Sequence, residues 1–170
     1  MTNQVKDVLD VLDALEKAKC LEQEAQQFYR KAVDRTASAK GKEVFRSLIK
    51  DEIMHERLIQ RQIDVHSAEG KWRALPDAQG AACDLSQEIF PQGREGLEKA
   101  VKADADDAEA LLTGLEFESD SYDLYRRDAQ TATDPAVREM FEFLASQERL
   151  HFDLLMSNYE ALVSLGSWAD

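Results

Sequence analysis

Two glutamates and a histidine recur at the same spacing in the two halves of this chain. Glu22 precedes Glu52 by thirty residues and His55 follows Glu52 at i+3, while Glu118, Glu148 and His151 repeat both intervals. Each member of the first set maps onto the second by a shift of 96 residues. Of the 3 histidines in the chain, two belong to this pattern. The neighbours keep the register: Tyr29 maps onto Tyr125 and Leu21 onto Phe117. Agreement at several independent positions marks an internal duplication. A lone Glu-x-x-His on a helix is ordinarily a surface pair. Here both copies fall inside apolar stripes with a matching upstream glutamate, which points to metal ligation.

The chemistry follows from charge. Taking an ionised carboxylate out of water costs several kcal/mol, so four of them gathered in a core need a counter-charge. Two divalent cations balance four carboxylates, with both imidazoles neutral. A glutamate and a histidine at i and i+3 share a helical face, so both reach one pair of ions. One glutamate from each of two helices, plus Glu-x-x-His from each of the other two, is the ligand set of di-iron and di-manganese carboxylate bundles. Imidazole mixed with carboxylate suits these metals better than a thiolate-seeking one. The expected cofactor is two iron ions, with manganese accepting the same ligands: Glu22, Glu52, His55, Glu118, Glu148 and His151.

Four helices must position these residues. Residues 5–37 carry the stripe Leu15, Ala18, Glu22, Ala25, Tyr29 and Val33 at steps of three or four, the period of an amphipathic helix. Ser38 to Lys42, with Gly41, reads as a break. A second helix over 43–66 has the stripe Phe45, Leu48, Glu52, His55, Ile59 and Ile63. A third over 104–130 carries Leu111, Gly114, Glu118, Ser121 and Tyr125; a fourth over 135–164 carries Phe141, Leu144, Glu148, His151, Leu155 and Leu162. Asp134 and Pro135 supply an N-cap and a first helical residue for the fourth. The midpoint between Glu22 and Glu52 falls beside the first break and that between Glu118 and Glu148 at Thr133. Antiparallel hairpins turning there bring the ligands level, roughly 20–25 Å along each helix at about 1.5 Å per residue. Residues 67–102 lose periodicity and concentrate Gly and Pro, so they read as a long crossover. Trp72, Leu75, Ile89 and Phe90 would pin it to the bundle, with Trp72 and Phe90 as core plugs. The fold class is all-α: one domain over 1–170, a four-helix bundle of two duplicated hairpins joined by the crossover.

At 170 residues the chain suits a single core. Few prolines and glycines, with abundant Ala, Leu, Glu, Gln and Lys, favour helix throughout. The formal charge of −13 opposes binding to nucleic acid or an anionic membrane. No apolar run approaches a membrane span. The first residues lack a basic segment followed by an apolar stretch, so no signal peptide is expected. Cys20 and Cys83 are isolated, without C-x-x-C, which excludes a zinc ribbon or rubredoxin-type site and suits a reducing cytoplasm with buried or incidental thiols. His66 lies outside the repeat and reads as solvent-facing at a helix end. Tyr29 and Tyr125 fit core packing, hydrogen bonding to a ligand carboxylate, or electron transfer, with core packing the simplest. Asp51 and Gln147 are equivalent under the shift and read either as a polar edge or as groups orienting the histidines across the bundle.

The doubled pattern, Glu22…Glu52-Ile53-Met54-His55 and Glu118…Glu148-Arg149-Leu150-His151, resembles the ferritin-like superfamily over nearly the whole chain. The run from Glu22 to Tyr29 and Ile89-Phe90-Pro91 in the crossover resemble its rubrerythrin-like branch. The resemblance implies that Glu52 and Glu148 bridge two irons. Glu22 with His55 would complete one ion, and Glu118 with His151 the other. Members of that branch reduce peroxide or dioxygen, or oxidise ferrous iron. Rubrerythrins carry a further glutamate where this chain has Ser121, and usually a rubredoxin domain. Its absence from this sequence implies electrons from a separate donor protein. The six-residue set equally resembles bacterioferritin, so ferroxidase activity is a second expectation, and a non-enzymatic bundle with a vestigial site a third. A homodimer fits the resemblance.

Overall fold

Helix boundaries follow from caps and from the placement of apolar stripes. The computed structural model describes residues 3–75 and 105–169. These form α1 (Asn3–Arg35), α2 (Ala39–Glu69), α3 (Ala105–Thr131) and α4 (Pro135–Leu165), an all-helical bundle. No strand occurs among the described residues. α1 packs chiefly on α2, and α3 on α4, with α1 also touching α3. The expected hairpins are therefore present. Cys83, Ile89, Phe90 and Pro91 lie outside the described residues.

The apolar stripes close into two layers. One joins Tyr29 and Ala32 near the end of α1 with Phe45 and Leu48 of early α2, Leu111 of early α3, and Leu155 and Leu162 of late α4. The other joins Leu15 of α1, Ile59 of α2, Tyr125 of α3 and Met140 of α4. α1 and α4 thus run one way, α2 and α3 the other. The end of α2 and the start of α3 sit in opposite layers, so their connection joins opposite ends of the bundle. Glu22, Glu52, Glu118 and Glu148 lie between the layers in sequence, and all four are buried.

The first turn differs from the expected one. The break covers residues 36–38, because the Ser38 hydroxyl caps α2 by accepting the Gly41 N–H at 3.2 Å. Gly41 is helical, and its small size serves packing. A Cβ there would stand 2.5 Å from the Trp168 indole. Trp168 folds back edge-on to Phe45 and donates its indole N–H to Asp107 at 3.1 Å. This ties α2 to the start of α3. Gly41→Ala adds about 1 kcal/mol of helix propensity, but the clash outweighs it. We expect a net loss of about 1–2 kcal/mol, measured by urea denaturation; unchanged stability would show that the indole shifts freely.

Two further residues, Ile63 and His66, depart from expectation at the end of α2. α2 continues to Glu69 and is capped at Gly70. Beyond it the chain doubles back, since Gln62 accepts the Arg73 N–H at 3.2 Å and donates to the Arg73 carbonyl. Gln62 therefore takes the inward position and leaves Ile63 half-buried. The same turn stacks Trp72 on His66, ring centroids 3.9 Å apart, so His66 is half-buried rather than solvent-facing. Trp72 and Leu75 pack against the core, as plugs should. At the second turn Asp134 caps α4 by accepting the Ala136 N–H at 2.8 Å, with Pro135 following. Cys20 is a free, exposed thiol. No described helix is long and apolar enough to cross a membrane.

Candidate metal centre

All six residues of the repeated pattern converge between the two apolar layers. Glu22, Glu52, His55, Glu118 and Glu148 are at most 2 % exposed and His151 5 %. Each sits in the stripe of its own helix, so burying the stripe buries the ligand. The two imidazoles stack with centroids 5.4 Å apart. Their Nδ1 atoms both face carboxylates. His55 Nδ1 lies 3.1 Å from Glu52 Oε2, 3.2 Å from Glu148 Oε1 and 3.5 Å from Glu22 Oε2. His151 Nδ1 lies 3.2 Å from Glu52 Oε1, 3.4 Å from Glu118 Oε2 and 3.8 Å from Glu148 Oε2.

The two central carboxylates are therefore shared. Glu52 and Glu148 each turn one oxygen toward each imidazole, whereas Glu22 reaches only His55 and Glu118 only His151. Two four-residue groups result, Glu22–Glu52–His55–Glu148 and Glu52–Glu118–Glu148–His151, each with its donor atoms within 4.8 Å of one another. Glu52 Oε1, Glu118 Oε2, Glu148 Oε1 and His151 Nδ1 are buried without an aligned hydrogen bond. Unsatisfied buried donors and acceptors are rare and call for an ion or a water as partner. The donor set fits two divalent ions.

Left to themselves, the six side chains balance charge with protons. Burial and the nearby charge of Glu148 push the Glu22 and Glu118 carboxyls well above their ordinary range. Burial would also raise Glu52 and Glu148, but the two imidazoles outweigh it and hold both below the usual range. Burial would lower the histidines, but carboxylates on three sides raise both. With protons on both outer carboxyls and both imidazoles, two carboxylic acids, two carboxylates and two imidazoliums would sum to zero. Four protons would then take the role of two divalent cations.

The tyrosines do more than pack. Tyr29 of α1 donates its hydroxyl to Glu118 of α3, and Tyr125 of α3 donates to Glu22 of α1. Each hairpin thus holds the outer glutamate of the other. Burial, and the charge that glutamate carries once ionised, raise both phenols well above their usual value, so they remain donors. Gly114 makes room on α3: a Cβ there would meet Leu155 at 3.0 Å and Tyr29 at 3.3 Å. Ala18 is its counterpart under the 96-residue shift. Tyr125→Phe keeps the ring and frees Glu22. Metal affinity should fall about 10–100-fold, the usual effect of losing a group that orients a ligand, with helicity unchanged; anaerobic ferrous titration measures it. Unaltered affinity would return the tyrosines to a packing role.

The outer contacts break the symmetry. Asp51, half-exposed, approaches His151 Nε2 to 3.6 Å, an ion-pair distance beyond a hydrogen bond. Its counterpart Gln147 bonds Ser146 instead, and His55 Nε2 is buried without a hydrogen-bond partner. Ser121 is buried one turn after Glu118 and offers no carboxylate. Gln26 was not legible as part of this region. It is buried one turn after Glu22 and donates to the Glu52 carbonyl at 3.4 Å and to Glu56 at 2.7 Å, pinning α1 to α2 at the cluster. Its only sequence signal is its position at i+4 from Glu22. A separate cavity of about 380 Å³, lined in part by Lys17, Arg127 and Phe141, contains none of the six residues.

Comparison with protein-family models, curated proteins and solved structures finds no match to this chain.

Proposed function

We propose that the protein is a ferritin-like, non-haem di-iron redox protein of the rubrerythrin-like type, reducing H₂O₂ or O₂ at the buried cluster. The observation that carries this reading is the pair of glutamates, Glu52 and Glu148, each turning one oxygen to each half of the site. A single-ion site or a structural ion pair would not require that sharing. When bound, a ferrous pair supplies two electrons, the number that converts H₂O₂ and two protons into two waters. The chain supplies the rest. Glu22, Glu118 and the histidines fix the outer ends, the two apolar layers exclude bulk water, and the tyrosines hold the outer carboxylates in place. Electrons would return from a separate donor protein.

Ser121 favours keeping a second reading. Without a fifth carboxylate beside Glu118, the six-residue set also fits a ferroxidase of bacterioferritin-like type, which takes ferrous iron as substrate. One experiment separates the readings. The protein is loaded anaerobically with two ferrous ions per chain, and oxidation is followed after separate additions of H₂O₂ and O₂. Faster oxidation by H₂O₂, with repeated turnover after re-reduction, supports the peroxide-reducing reading. Oxidation by O₂ with growth of a ferric mineral supports ferroxidase activity. Failure to bind iron would overturn both and leave a bundle with a vestigial site.

A further inference from the structure

We infer that the face formed by α2 and α4 is a self-complementary docking surface for a second copy of this chain. The two helices lie side by side, since Glu52 and Asp51 of α2 approach His151 of α4 to 3.2 and 3.6 Å. The flank of α2 that carries Glu56 and Gln60 turns to α1, which it meets through Gln23, Gln26 and Lys19. The opposite flank carries Met54 and Leu58. Under the duplication these correspond to Leu150 and Leu154 of α4. Met54 is 47 % exposed, Leu150 59 % and Leu154 37 %, and together they account for three of the four large exposed apolar side chains described. Apolar side chains gathered on one exposed face mark an interaction site.

Charge identifies the occupant. The chain carries a formal −13, yet Arg46, Lys50, Arg57 and Arg61 stand exposed along the outside of α2. The acids between them that are not buried, Asp51 and Glu56, face α4 and α1. The exposed acids of α2, Glu43, Asp64 and Glu69, sit toward its two ends. On α4 the exposed charged residues from Glu142 to Glu160 are all acids: Glu142, Asp153 and Glu160. Glu142 and Asp153 are the duplicates of Arg46 and Arg57, so the same positions carry opposite signs on the two helices.

A two-fold axis lying in this face and parallel to the helices sets α2 of one copy against α4 of the other. The heights then agree. Lys50 is two residues before Glu52, and Asp153 two residues after His151, the pair that stands level across the bundle. Arg61 is six beyond His55, and Glu142 six before Glu148, the other level pair. The helices are antiparallel, so Lys50 falls opposite Asp153 of the second copy, and Arg61 opposite Glu142 of the second copy. The alternative in-plane axis, across the helices, would set α2 against α2 and cation against cation. The arrangement that remains has an apolar centre and a charged rim, the usual anatomy of a protein interface, and is isologous. It does not depend on what the buried cluster binds.

Sedimentation velocity on three chains tests it: wild type, Lys50→Glu with Arg61→Glu, and Glu142→Arg with Asp153→Lys. Wild type should be a dimer that weakens with salt. Each altered chain should remain helical by circular dichroism but dissociate on the order of 100-fold more readily, since like charges then meet at every pair. Mixing the two altered chains restores opposite charges at all four contacts and should restore a one-to-one dimer. A wild-type monomer at all concentrations overturns the inference. So does a dimer indifferent to both reversals, or altered chains that fail to pair when mixed.

Discussion

Glu148→Ala is expected to strip the protein of both metal ions at once, whereas Glu22→Ala should remove one of the two. The difference follows from reach. Glu148 faces both imidazoles, at 3.2 Å and 3.8 Å, and Glu52 does so at 3.1 Å and 3.2 Å. Glu22 approaches only His55, at 3.5 Å, and Glu118 only His151, at 3.4 Å. Removing a shared carboxylate also leaves imidazole and glutamate partners buried without it, which costs about 3–5 kcal/mol for a broken buried ion pair, roughly 10²–10⁴-fold when expressed as an equilibrium constant. Glu52→Ala should resemble Glu148→Ala, and Glu118→Ala should resemble Glu22→Ala. Anaerobic ferrous titration with metal analysis reads the stoichiometry, and circular dichroism shows whether the bundle persists. Equal metal content across the four variants and wild type would mean that the cluster is not where the ions bind.

That the cluster could be read from the sequence has a definite cause. Buried acids are rare, and repeating them at one spacing inside two apolar stripes leaves few explanations besides a shared cation site. The helices were legible for the same reason, because period and caps agree at Asp134 and Pro135. What escaped was contact across the bundle. Nothing local to Tyr29 shows that its hydroxyl reaches Glu118 on α3, since that bond spans 89 positions and depends on Gly114 being small. Gly41 misled for a related reason. A glycine near a turn ordinarily marks the break, but this one is small because Trp168, far away in sequence, lies against it. His66 misled because its partner Trp72 comes into reach only after the chain reverses beyond Gly70. The divergence of Asp51 from Gln147 likewise arises only in the folded bundle. Equivalence under the shift predicts equal roles, but only Asp51 approaches a histidine.

Acid should release the metals, and steeply. Neutralising the cluster takes four protons or two divalent ions, so loading both ions displaces about four protons per chain near neutral pH. Glu22 and Glu118 have carboxyls raised well above the ordinary range, and His55 and His151 are raised as well. All four therefore compete with metal at a pH where free carboxylates would already be ionised. Two protons per ion would make affinity rise up to about 100-fold per pH unit, or on the order of 10⁴-fold between about pH 6 and pH 8. Stability carries the opposite sign without metal. A group with a raised folded pKa contributes stability that is full below its unfolded value and is lost as pH climbs toward the folded one. For Glu22 and Glu118 that loss begins above about pH 4.5, and for the histidines above about pH 6.5. Glu52 and Glu148, which are lowered, contribute above their unfolded value and lose it only in acid. The metal-free protein should therefore melt at progressively lower temperature as pH rises beyond neutrality, while the gain in melting temperature on adding ferrous iron widens. Calorimetry in buffers of differing ionisation enthalpy counts the protons, and thermal melts with and without metal give the two trends. Fewer than one proton released per ion, or melting curves that stay parallel across the pH range, would mean that the carboxylates are balanced by something other than protons and metal.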